Sequence, residues 1–260
     1  MKVLITSAGL DIPARLAPTL NTNHQVRLTD RTVRFTPHSP RTITSEEKEE
    51  IETGLEFVSS DLGHDETTNE LVHGMDAVIH WGQVDPRLSL PEQLDYQTRC
   101  TYNLIYAASN EGVTRFVHLS TLSVMGKYDE DLEVTEKYRP LPTTEPDVLG
   151  AHLGEYVCRE FTREGRIDVV CLRLGEITGE QDCLNGEGVV GTSALHFDDL
   201  IRAVELALNW DVTRERIPTF ERPPVATGWG LFHIQSPVPD ARYSTNLAQE
   251  YLDYDPTFRE

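Results

Sequence analysis

The chain has few lysines, no paired cysteines, no long apolar run and almost no glycine in the loop that follows its first strand. Of its 23 basic residues only four are lysine, against 43 acidic residues, which leaves a formal net charge of -20. No stretch concentrates Lys and Arg, so the surface repels polyanions, and nucleic acid and anionic membrane are excluded as expected partners. The four cysteines, Cys100, Cys158, Cys171 and Cys183, form no C-x-x-C pair and have no nearby histidine at metal-ligand spacing. Zinc sites and disulfide frameworks are therefore not expected, and a reducing cytoplasmic compartment is. No segment reaches the roughly 18 apolar residues of a membrane span, and no basic leader with an apolar stretch opens the sequence. A soluble, unexported protein is the expectation.

What the sequence does contain is one alternating pattern. Strand-like runs recur at 3–5, 25–29, 55–58, 77–80, 115–119, 168–172 and 231–234, with helical periodicity over 90–109, 149–161 and 198–209. Alternation of this kind predicts an α/β fold, a doubly wound parallel sheet with helices on both faces. At 260 residues and 38% hydrophobic content, one core is expected, and 1–260 reads as one domain. The segment 31–53, with two prolines and the run Ser45–Glu50, reads as an insertion ending in an exposed, serine-capped helix.

The loop at 5–17, ITSAGLDIPARLA, lies between a strand and a helix, where a phosphate-binding turn is expected. A G-x-x-G-x-x-G fingerprint would place glycine at Ser7, Leu10 and Pro13, and none is glycine. Asp11 falls just before the expected helix, where its carboxylate can cap free amides at the end that a pyrophosphate would occupy. Pro13 removes one donor, and Leu10 adds bulk.

The blocks DAVIHWGQ (76–83), TYNLIYAASNEGVTRFVHLSTLSVMG (101–126), DVVCLRLGEITGE (168–180) and HFDDLIRAVELAL (196–208) resemble, in order, the NAD-dependent epimerase/dehydratase family. These are extended short-chain dehydrogenases that act on nucleotide sugars and related sugars. The resemblance implies a Rossmann-like sheet with a small C-terminal substrate lobe, built mainly from about 175–195 and 212–260. In length the chain is similar to the compact uronate-dehydrogenase-like branch. The resemblance also implies NAD as cofactor, a small sugar derivative as ligand, and a homodimer paired through helices corresponding to Leu90–Ser109 and Leu149–Arg163. For the cofactor it points to Gly9, Leu10, Asp11 and Ile12 in the loop after the first strand. Asp30 would hold the ribose and favour NAD over NADP, with Arg31 weakening that preference; Asp30 also reads as a turn acid. Asp61 and Leu62 would lie against the adenine, and Trp81 and Gly82 beneath the cofactor.

Family members use a Tyr whose phenolate is stabilised by a Lys four residues on, because free tyrosine ionises near pH 10 and needs a neighbouring cation to act as a base at neutrality. A Ser or Thr orients the substrate. Here that hydroxyl falls on Thr121, while Val148 stands at the Tyr position and His152 at the Lys position, and no Tyr-x-x-x-Lys pair exists in the chain. Tyr128, Tyr138 and Tyr156 remain as substitute acids, and His152 also reads as an ordinary surface or satisfied histidine. The expectation is a family scaffold that has lost ordinary catalysis and serves binding or regulation, with NAD binding weakened or lost. The alternative is an active NAD-dependent oxidoreductase or epimerase with a non-standard base; a structural subunit is a third reading.

Overall fold

The structure is a computed structural model that describes residues 1–31, 55–83, 85, 88–178, 192–211, 228–238 and 240–257. Most of the expected insertion at 31–53, Cys183 and two stretches of the expected substrate lobe, 179–191 and 212–227, lie outside the described residues. In chain order the elements are β1 (Lys2–Ile5), α1 (Asp11–Leu20), β2 (Gln25–Asp30), β3 (Glu56–Ser59), α2 (Glu66–Val72), β4 (Ala77–Trp81) and α3 (Leu90–Asp95). A π-helical turn (Tyr96–Cys100) leads into α4 (Thr101–Asn110), then β5 (Arg115–Thr121), a 3-10 turn (Leu122–Met125) and α5 (Pro146–Arg163). The rest is β6 (Asp168–Leu174), β7 (Glu176–Thr178), β8 (Ala194–His196), α6 (Phe197–Asn209), β9 (Trp229–Ile234) and α7 (Asn246–Leu252).

Seven strands form one sheet in the order β3-β2-β1-β4-β5-β6-β9, and every neighbouring pair is parallel. This is the doubly wound Rossmann-like arrangement expected from the alternation. β4 and β9 are buried along their whole length, as strands covered on both faces must be. One face packs Leu16 and Leu20 of α1 and Leu200 and Val204 of α6 against the sheet. The other packs Leu104 and Ile105 of α4 with Cys158 and Phe161 of α5. The chain reverses its direction of winding between β1 and β4, so the crevice at their carboxyl ends is where a ligand is expected in this fold. β7 and β8 pair as a separate two-stranded ribbon.

Periodicity located α1, α3, α4, α5 and α6 but mis-set their ends, and it did not announce the two seven-residue helices α2 and α7. α5 begins at Pro146, three residues before the first apolar residue of its stripe, because proline's fixed φ suits a first helical turn. The pattern over 90–109 is one apolar stripe interrupted by the π turn. Among the described residues no helix is long and apolar enough to cross a membrane.

Candidate active site

The loop after β1 keeps the shape that glycines usually provide. Ser7 has φ +57°, a left-handed conformation that costs a non-glycine residue about 1–3 kcal/mol unless its surroundings hold it. They do so from three sides. The Thr6 amide donates to the Ile79 carbonyl and the Ala8 amide to the Thr29 carbonyl, both at 3.1 Å, and the Ser7 hydroxyl shares a buried hydrogen bond of 2.5 Å with the Tyr96 hydroxyl. The Gly9 amide donates to Asp30 Oδ2 at 2.7 Å, and the Arg31 amide to Asp30 Oδ1 at 2.6 Å. Asp30 thus sits at the carboxyl end of β2 and pins the loop after β1.

The expected self-capping by Asp11 is corrected by the structure. Leu10, not Asp11, is the N-cap of α1, with extended backbone (φ -91°, ψ 151°) and no side-chain cap bond. Asp11 is already inside the first turn, so it is not the residue that caps α1. It is exposed and pairs at 3.6 Å with Arg15 one turn on. Leu10 and Ile12 turn their side chains onto the apolar core, and Pro13 is buried. The added bulk is therefore packed on the core, and no side-chain cap bond closes the helix end, although the Asp11 carboxylate stays in its first turn.

The neighbouring walls are built the same way. Asp61 accepts the Gly63 amide at 3.1 Å. Leu62 is buried with φ +55°, its carbonyl accepting from Asn103 Nδ2 at 2.9 Å. Trp81 is 5% exposed and packed in the α1/α6 core, so the sheet interior absorbs its bulk. The Gly82 amide donates to the Leu119 carbonyl at 2.9 Å, and its own carbonyl accepts from Gln97 Nε2 at 3.0 Å. A Cβ at Gly82 would stand 2.5 Å from the His118 ring, so glycine is required there by close approach.

Thr121 closes β5, on the same sheet edge as the loop after β1 and one strand (β4) removed from it, or about 10 Å at ordinary strand spacing. Its hydroxyl accepts the Ser123 amide and meets Ser123 Oγ, both at 3.1 Å. Val148 is buried with Leu122, Val124 and Met125. His152 is half-buried, its ring edge-on to Tyr156 at 4.8 Å; burial lowers its pKa first, with the Arg173 and Arg159 charges acting in the same direction. Tyr128 donates to the Arg139 carbonyl at 2.7 Å and packs edge-on against Tyr138 at 5.0 Å. Tyr156 is exposed beneath Arg159. None of these three tyrosines has a recorded bond to Thr121.

Sequence reading missed a buried polar layer behind Thr121. Ser120 donates to Glu155 Oε1 at 2.7 Å, and Arg173 grips both Glu155 oxygens at 2.9 and 2.6 Å. Burial opposes ionisation of Glu155, but Arg173 outweighs it and holds the carboxyl below its ordinary value. Tyr96 was missed as well, since nothing in its local pattern distinguishes it from a core aromatic.

Comparison with known proteins agrees with this architecture. Residues 20–197 match the NAD dependent epimerase/dehydratase family. A uronate dehydrogenase of Pseudomonas syringae pv. tomato is 27% identical over 148 residues, 57% of this chain and 52% of that protein. A dTDP-glucose 4,6-dehydratase of Streptomyces niveus is 26% identical over 175 residues, 58% of this chain and 52% of that protein. The match thus spans about half the length of the curated relatives. Among solved structures, a variant of uronate dehydrogenase from Agrobacterium tumefaciens complexed with NAD superposes with a TM-score of 0.74 at 19% identity, covering 99% of this chain and 84% of that one.

Proposed function

The chain belongs to the NAD dependent epimerase/dehydratase family, and from that premise we propose that it binds NAD and acts on a sugar, sugar acid or nucleotide sugar as an oxidoreductase or epimerase with a base other than the Tyr/Lys pair. The observation that carries this reading is the uncapped N-terminus of α1, with Asp30 pinning the Gly9 amide beside it. A degenerate loop filled by its own side chains would not leave that pole open. Gly9 and Leu10, whose amides bond Asp30 and the Ser7 carbonyl, would shape the turn under the pyrophosphate and Asp11 and Ile12 would present backbone to it; Asp30 would hold the adenosine ribose with Arg31 beside it, Asp61 and Leu62 would wall the adenine, and Trp81 and Gly82 would underlie the nicotinamide half. Thr121 would orient a substrate hydroxyl. Bound NAD supplies the hydride acceptor. Uronate dehydrogenase relatives favour a sugar acid among the three ligand classes.

The same reading takes the chain as one cytoplasmic domain and pairs two copies through α4 and α5, where Tyr102, Leu153 and Tyr156 are exposed. Binding without turnover is the second reading, favoured by the burial of Val148 in an apolar cluster where the family keeps its tyrosine. Titration calorimetry with NAD and NADP, followed by NADH absorbance and chromatography for an epimerised sugar with glucuronate, galacturonate and UDP-glucuronate, separates the two. NAD binding with NADH formation or an epimerised product supports the proposal; binding with neither on the whole panel supports the second reading, and no binding overturns both.

A further inference from the structure

The π turn stands out because one segment reaches three separate loops of the crevice. Tyr96 meets Ser7 after β1, Gln97 holds the Gly82 carbonyl after β4, and Asn103, two residues into the helix that follows, holds the Leu62 carbonyl after β3. A π turn carries one residue more than an α turn and rotates the side chains beyond it, which is why such turns concentrate at functional sites. The Tyr96 carbonyl accepts the Thr101 amide that closes the turn and also the Thr101 hydroxyl at 3.3 Å, and Thr101 is in turn bonded at 2.8 Å to His80 Nε2.

Within this frame Tyr96 has a specific task. Its ring is buried beside His80, at 5.6 Å between centroids, and its hydroxyl also lies within 3.4 Å of Thr6 Oγ1. Burial raises the Tyr96 pKa to about 12, so the group is a permanently protonated hydroxyl and not a base. It meets the one residue of the loop after β1 that is strained, Ser7 at φ +57°. Glycine would adopt that backbone freely; serine needs to be held there. We propose that Tyr96 is a positioning residue that replaces the missing first glycine of the loop: its hydroxyl fixes Ser7 in the left-handed conformation and so holds the turn, whose own amides bond within the protein, that sets the first turn of α1 toward a cofactor pyrophosphate. The proposal rests on the NAD-binding reading for its ligand, but the anchoring itself is a property of the unliganded protein.

A two-by-two set of variants tests it: the natural chain, Tyr96→Phe, Ser7→Gly, and both together. Phenylalanine keeps the ring and deletes only the hydroxyl. In the natural background Tyr96→Phe should weaken NAD binding by about three- to tenfold, the fold-change that follows from losing one buried hydrogen bond. In the Ser7→Gly background the same change should cost less than about twofold, because glycine needs no anchor. Ser7→Ala removes the other half of the bond and should match Tyr96→Phe, which preserves the test if one variant folds poorly. Equal losses in both backgrounds would overturn the proposal, since Tyr96 would then act on something other than Ser7. Amide hydrogen exchange at Ala8 and Gly9 is followed in the same four proteins without cofactor. Faster exchange on Tyr96→Phe only where Ser7 is present supports the anchor even if no chain binds NAD, an outcome that would sink the functional reading alone. Unchanged exchange in every variant would sink the anchor alone.

Discussion

Arg173 and Glu155 form a two-point ion pair behind the candidate site, Nε to Oε1 at 2.9 Å and Nη2 to Oε2 at 2.6 Å, with side chains 1% and 6% exposed. One lies on β6 and the other on α5, so the pair ties the helix to the sheet at the edge where Thr121 ends β5. A buried pair is expensive to break because the surviving partner keeps its charge without a counter-ion. Glu155→Gln or Arg173→Met alone should lower stability by about 3–5 kcal/mol, while Glu155→Leu combined with Arg173→Met should recover much of that loss. Urea unfolding midpoints of the three variants check this; a double variant no more stable than either single one would contradict it.

Glu136 makes the stability depend on pH. Its carboxyl is fully buried, accepts the His233 amide at 2.8 Å and is pushed up to about 7 by burial, which outweighs backbone hydrogen bonds and the Arg173 and Lys137 charges. The His233 ring stays neutral because its own pKa is lowered well below the ordinary value by burial. The folded state therefore holds the Glu136 proton more tightly than the unfolded state, where glutamate titrates near 4.5. Sign follows directly: the contribution is fully present below the unfolded value and is lost as pH rises through about 7. Relative to Glu136→Gln, the natural protein should lose thermal stability across that window, and parallel melting-temperature profiles for the two proteins would refute it.

Asp30→Ala should weaken NAD binding by about 1–3 kcal/mol, since it removes the proposed ribose acceptor together with the bond that holds the Gly9 amide. The loss should be smaller for NADP, whose added phosphate the carboxylate repels. Calorimetry with both cofactors reads the difference; an unchanged NAD affinity would leave Asp30 as a turn residue only.

Asp11→Asn should change NAD affinity by less than about threefold and stability by no more than about 0.5 kcal/mol, because its carboxylate is exposed and its pairing with Arg15 is a surface contact. A gain of tenfold or more in NAD affinity would restore the self-capped loop that the backbone geometry contradicts.

The sequence by itself determined the seven strands of the sheet and its longer helices, but not the short α2 and α7, because apolar periodicity is local and needs several turns to show. Val3–Ile5, Ala77–His80 and Asp168–Leu172 announce strands buried on both faces, and Leu149, Leu153, Val157 and Phe161 announce a helix, although the structure exposes Leu153. It also determined that no Tyr-x-x-x-Lys pair is present, which needs no coordinates. What only the tertiary structure decided is how the unusual loop behaves. Asp11 reads as a cap until the helix is seen to start one residue earlier than a cap requires, and a shift of one position along a helix is below what composition can fix. Ser7 reads as a lost glycine until Tyr96, 89 residues away in sequence, is found against it. Such a contact is set by how β1 and the π turn pack, and no local pattern encodes it.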